Sequence, residues 1–92
     1  MKKAIFLDRD GTINVDRGYI NHPDNLHLIS GAGAAIAQLN RSGWQVFLIS
    51  NQSGVARGVI HQQALPKIQQ KLKDELALWN AHLDAEFLCL HH

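Results

Sequence analysis

Two carboxylates, Asp8 and Asp10, stand two residues apart in the stretch Phe-Leu-Asp-Arg-Asp-Gly-Thr-Ile-Asn, directly after the apolar run Ala4 to Leu7. That spacing puts two acidic side chains on the same side of a strand end. Gly11 lets the backbone turn sharply and approach a ligand. Thr12 offers a hydroxyl and a backbone N–H to an anion. A phosphate ester suits such a pair. One carboxylate attacks phosphorus and forms an aspartyl-phosphate, which divides a difficult hydrolysis into two displacements. The other protonates the departing alkoxide and then deprotonates the attacking water. Carboxylates repel an anionic phosphate, so the chemistry calls for a divalent cation, and a site of oxygen donors favours Mg²⁺. Asp and Gly also close strands as plain turn residues, and on this motif alone both readings stand.

A second polar group follows a second apolar run, Val46 to Ile49. Ser50, Asn51, Gln52 and Ser53 are short hydrogen-bonding side chains, and Gly54 leaves backbone N–H groups accessible. Such a turn cradles phosphate oxygens as charge spreads over them. Taken by itself it also reads as an ordinary polar loop. Beside the Asp8 motif on a neighbouring strand end, the phosphate reading is the stronger.

The elements that must position these groups are legible as periodicities. Ala4 to Leu7 and Val46 to Ile49 are short unbroken apolar runs, which suit strands buried on both faces of a parallel sheet. Residues 9–31 are rich in Asp, Asn, Gly, His and Pro and read as loop. Ala34, Ala35, Ile36 and Leu39 recur at near-helical spacing before Gly43, a helix stop. A second helix is expected to begin near Leu65-Pro66, where proline is tolerated, with Ile68, Leu72, Leu76, Trp79 and Leu83 along its apolar face. Glu86 to Leu90 reads as a third strand. Strand, helix, strand, helix, strand with right-handed crossovers gives an α/β fold, a Rossmann-like three-stranded parallel sheet with flanking helices. Ligands of such sheets bind beyond the carboxyl ends of the strands, which is where both polar motifs fall.

Composition narrows the remaining classes. The chain has 92 residues, one domain at most, with nine Lys and Arg against eight Asp and Glu for a formal charge of +1. No basic run is present, which argues against nucleic acid as a partner; Lys67, Lys71 and Lys73 read as a solvated helix face. The N-terminal apolar run ends at Asp8, too short for a signal peptide or a membrane span. The single cysteine, Cys89, forms no internal disulfide and fits a reducing compartment. A cytoplasmic protein is expected.

The stretches "FLDRDGTIN", "NVDRGYI" and "LISNQSGVARG", with Cys89-x-His91 at the end, resemble the haloacid dehalogenase (HAD) superfamily of phosphatases. Within it they are similar to the group that removes the 7-phosphate from heptose 1,7-bisphosphates, on the route to the ADP-heptose of lipopolysaccharide cores. The resemblance runs from Ala4 to His92 and implies that residues 1–92 are the N-terminal part of one HAD-like catalytic domain. It implies Asp8 as nucleophile and Asp10 as general acid and base, with Mg²⁺ held by the Asp8 carboxylate and the Asp10 backbone carbonyl. Asp16, Arg17, Gly18 and Tyr19 would line the substrate entrance, and Ser50, Asn51, Gln52 and Ser53 would bind the transferring phosphate and the sugar. The family more often has Thr at the position of Ser50, a change that keeps the hydroxyl. Arg57 reads either as a contact to the second phosphate or as a surface arginine. In the family a Cys-x-His pair opens a zinc loop, which would make Cys89 and His91 half of a Zn²⁺ site; the spacing alone fits a strand cysteine better. The related histidinol-phosphatases share "DRDGT", so histidinol phosphate is the alternative substrate.

The family's later lysine, which neutralises nucleophile and phosphate together, has no counterpart after Lys73, and its later Mg²⁺-binding aspartate has none after Asp84. Two expectations follow from these 92 residues. One is a phosphatase with weakened turnover acting on a small phosphorylated sugar. The other is an inactive remnant that binds sugar phosphate or pairs with another chain through the open edge of the Asp8 strand.

Overall fold

The computed structural model describes residues 3–15, 22–51 and 62–89. They form β1 (Lys3–Asp8), α1 (Ala32–Arg41), β2 (Trp44–Asn51), α2 (Leu65–Ala77) and β3 (Ala85–Cys89), with short 3-10 turns at Pro23–Asn25 and Gln62–Ala64. The strands make one parallel sheet in the order β1-β2-β3. Lys3 pairs with Trp44 and Asp8 with Ile49, while Phe47 pairs with Ala85 and Asn51 with Cys89. The register brings the carboxyl ends of β1 and β2 side by side, which fixes where Asp8 and Ser50 emerge.

One expectation is corrected. The strands are not buried on both faces. Two successive crossovers of the same hand, each moving one strand along in the same direction, put both helices on one face. On that face Val46 and Leu48 are buried with Ile36 and Ala37 of α1 and Ile68, Leu72 and Leu76 of α2, with Ile5 and Leu7 packed against them. The opposite face carries Phe6, 59% exposed, Ile49 and Phe87, 53% exposed. Phe47 lies between the two phenylalanines with ring centroids at 5.1 and 6.4 Å. Among the described residues β1 and β3 are the edges of the sheet.

The loop between β1 and α1 contributes more than connection. Ile13 and Leu26 are fully buried in the core. Backbone bonds from Val15 N–H to the His27 carbonyl (2.8 Å) and from Ile29 N–H to the Ile13 carbonyl (2.9 Å) fold it onto itself. The buried positions of α1 are Gly33, Ile36 and Ala37, whereas Ala34 and Ala35 face solvent. The second helix stops at Ala77, short of Trp79 and Leu83. Asn80 there takes a left-handed conformation (φ 59°), a state tolerated by Asn that cannot continue a helix. Leu83 still packs on the core from the following segment.

Trp79 is placed by what it meets. A Cβ on Gly33 would overlap the base of the Trp79 indole ring, so the turn after α2 approaches α1 at a position only glycine allows. Gly33→Ala is therefore expected to destabilise the chain by about 1–3 kcal/mol through overpacking, against a propensity gain of at most ~1 kcal/mol. Urea denaturation checks this, and a more stable variant would contradict it.

The lysines of α2 are solvated, Lys67 and Lys73 exposed and Lys71 partly so, and two of them make surface ion pairs. Lys71 pairs with Glu75 at 2.9 Å and Lys73 with Glu86 of β3 at 3.2 Å. The hydrogen bond and charge of Glu75 raise the Lys71 ammonium above its ordinary value. Its contribution is thus present through neutral pH and is lost only as pH rises through that raised value. No helix among the described residues is long and apolar enough to cross a membrane.

Candidate active site

The site begins at the last residue of β1. The turn that follows closes on a single carbonyl: Arg9 C=O accepts the N–H groups of Thr12 (3.2 Å), Ile13 (2.8 Å) and Asn14 (3.1 Å). Gly11, at φ 85°, supplies the left-handed residue that this closure needs, and its N–H donates to the Asn14 carbonyl at 2.8 Å. The Thr12 N–H is thereby spent inside the turn and is not available to an anion, which corrects the sequence expectation.

Asp8, Arg9, Asp10 and Ser50 together line a pocket of about 140 Å³ at the carboxyl edge of the sheet. The two carboxylates and the hydroxyl expected from the two motifs are therefore brought to one place. Ser50 is 3% exposed, because it continues the inward-facing row of Val46 and Leu48. Asp8 lies at an exposed strand end, and the Asp10 side chain is about a quarter exposed.

Asp10 is held from two sides. The Arg9 fork donates from Nε to Oδ1 and from Nη2 to Oδ2, both at 3.2 Å, and Asn14 Nδ2 donates to Oδ1 at 2.9 Å. Arg9 is 1% exposed and Asn14 is fully buried, so the donors are fixed by packing as well as by charge. Arg9 Nη1 turns the other way and donates to Gln69 Oε1 of α2 at 2.9 Å. Sequence reasoning missed Arg9, Asn14 and Gln69 as parts of the site. The available signal was Gln69 itself, a polar residue within the stripe of Leu65, Ile68, Leu72 and Leu76 that α2 buries.

Oxygen donors are what magnesium takes, and Asp8 and Asp10 supply them at one pocket, so the residues fit part of its coordination sphere. Among the described residues no group of three or more His, Cys, Asp or Glu side chains comes together for a metal. Asp16, Arg17, Gly18, Tyr19, Gln52, Ser53 and His91 lie outside the described residues, as does Arg57. Of Asn51 and Cys89 only the backbone is described; they pair with each other at the ends of β2 and β3.

No protein-family model matches the chain. The chain is 40% identical over 92 residues to the D-glycero-β-D-manno-heptose-1,7-bisphosphate 7-phosphatase of Haemophilus influenzae, covering all of this chain and 50% of that protein. The crystal structure of the D,D-heptose 1,7-bisphosphate phosphatase of B. bronchiseptica, complexed with magnesium and phosphate, superposes with a TM-score of 0.91 at 40% identity, over 98% of this chain and 51% of that one. A structure from Mesorhizobium loti described as a HAD-like phosphatase gives 0.93 at 37% identity, over 99% and 44%. The chain thus spans about half the length of the curated relatives it matches. The strand-end carboxylates and the parallel three-stranded sheet agree with these likenesses: the chain has a HAD-like fold and is similar over its whole length to about half the length of these phosphatases.

Proposed function

We propose that this chain hydrolyses a phosphomonoester through an aspartyl-phosphate, and that its substrate is the 7-phosphate of a heptose 1,7-bisphosphate. The observation that carries the reading is the convergence of Asp8, Asp10 and Ser50 on one pocket from two adjacent strand ends. The names of its relatives support the substrate class. An Asp8 carboxylate oxygen attacks phosphorus, and the bond from phosphorus to the sugar oxygen breaks. Asp10, oriented by Arg9 and Asn14, gives its proton to that oxygen. Asp10 then takes a proton from water, whose oxygen attacks the acyl phosphate and releases inorganic phosphate and free Asp8. The Ser50 hydroxyl donates to a phosphate oxygen. Mg²⁺, held by the Asp8 carboxylate and the Asp10 backbone carbonyl, would offset the phosphate charge that otherwise repels the carboxylates. Asp16, Arg17, Gly18 and Tyr19 are proposed at the entrance, and Asn51, Gln52 and Ser53 on the phosphate and sugar. The zinc expectation rests on Cys89 and His91 alone and enters no step.

The test is ³¹P NMR of the chain with Mg²⁺ and D-glycero-β-D-manno-heptose 1,7-bisphosphate. The 7-phosphate signal should decline while the 1-phosphate persists, and histidinol phosphate should be a poorer substrate. Loss of the 1-phosphate, or preference for histidinol phosphate, would overturn the substrate assignment.

A further inference from the structure

The hydrogen bonds that reach Asp10 continue well past the pocket. Arg9 Nη1 donates to Gln69 Oε1 at 2.9 Å, and Gln69 Nε2 donates to Glu86 Oε2 of β3 at 2.8 Å. Glu86 Oε1 meets Lys73 Nζ at 3.2 Å. Gln69 is 6% exposed, and an amide in an apolar stripe is costly unless both of its ends are satisfied. Here both are, and in only one sense. The carboxylate of Glu86 accepts and the guanidinium of Arg9 donates. A flipped amide would set donor against donor at Arg9 and acceptor against acceptor at Glu86.

We infer that Gln69, with its amide direction set by Glu86, is a positioning residue for the reaction. It anchors the far side of the Arg9 guanidinium, and the Arg9 fork in turn sets the plane and position of the Asp10 carboxylate. The inference rests on the proposed role of Asp10 as acid and base. Its structural content is that α2 and β3 determine the geometry of a group some sixty residues earlier in the chain. Arg9 has five N–H donors in a rigid fork. Without Gln69 it would lose a buried acceptor on the side away from Asp10 and be free to tilt. A displacement of about 1 Å at a reacting group costs up to about 10²-fold in rate.

The decisive variants reverse the middle bond. Gln69→Glu keeps an acceptor for Arg9 but sets a carboxylate against Glu86. The double variant Gln69→Glu/Glu86→Gln supplies the missing donor from the β3 side and restores one donor for each acceptor. Gln69→Glu is expected to lower kcat about 10- to 100-fold with KM unchanged, and the double variant is expected to recover most of that loss. A merely structural Gln69 would change the melting temperature and leave kcat of the folded protein unaltered, which would overturn the inference, as would a double variant no better than the single one. A second readout needs no turnover. In ¹H–¹⁵N spectra of the free chain, exchange of the Arg9 Nε–H with solvent should be slow and should accelerate in Gln69→Leu. Equal protection in both proteins would overturn the inference even if turnover is found. If no Asp8-dependent turnover is found in the parent chain, the functional reading falls while this measurement still decides whether Gln69 holds Arg9.

Discussion

Phosphate release by Asp8→Asn is expected to fall roughly 10⁴-fold, or to the uncatalysed background if that is reached first. The substitution keeps the size and planarity of the side chain at the end of β1 and removes its nucleophilic carboxylate. An amide oxygen is a poor nucleophile toward phosphorus and carries no charge for a cation. The effect should fall on kcat, because the pocket formed with Asp10 and Ser50 is left in shape. Asp8 lies at an exposed strand end, so folding should be little affected: surface replacements of this kind usually change stability by no more than about 0.5 kcal/mol. Paired urea denaturation and phosphate-release assays separate the two effects. A variant as active as the parent would remove Asp8 from the chemistry, and a variant that unfolds would assign it a structural part.

Arg9→Met should differ in losing stability together with rate. Methionine fills much of the space of the arginine stem, so the change isolates the guanidinium. Arg9 is 1% exposed, and its fork binds both oxygens of Asp10 while its remaining arm binds Gln69. Breaking a buried pair by removing one partner costs about 3–5 kcal/mol. Asp10 is about a quarter exposed and keeps Asn14 as a donor, so the lower end, about 3 kcal/mol, is expected. That is a large share of the ~5–15 kcal/mol that holds a typical domain together. A loss below about 1 kcal/mol would mean that the pair behaves as a surface ion pair, and the reading of Arg9 as a buried anchor would fail.

The uneven legibility of the fold in the sequence has physical causes. The three strands and two helices are readable because each is an apolar run or stripe bounded by Gly, Pro or short polar residues. The covering of the sheet is not. Phe6 and Phe47 belong to runs that look doubly buried, and only the hand and order of the crossovers reveal that both helices lie on the other face. The end of α2 is hidden for a related reason. Trp79 and Leu83 continue the helical spacing, but Trp79 lies half exposed against Gly33 just past the helix end, and Leu83 reaches the core only after the chain has turned at Asn80.

The site divides in the same way. Asp8 and Asp10 could be found because their spacing is local, and Ser50 because it ends a second strand. Arg9 could not. A charged residue between two aspartates reads as solvated, and its burial depends on Gln69, an acceptor on a helix far along the chain. Asn14 reads as a loop residue, yet it is fully buried with its amide on Asp10. Its Oδ1 is buried without a hydrogen-bond partner, a cost accepted where the amide holds the carboxylate.

The central claim is that phosphorus becomes bonded to Asp8. Borohydride reduces an acyl phosphate to the alcohol and leaves a free carboxylate untouched. Chain quenched with borohydride during turnover of heptose 1,7-bisphosphate with Mg²⁺ should therefore yield, by peptide mass spectrometry, homoserine at the position of Asp8. The aspartate at position 10 should be unchanged. Phosphate released at the normal rate with Asp8 unmodified, or with the modification at Asp10, would contradict the assignment of the nucleophile.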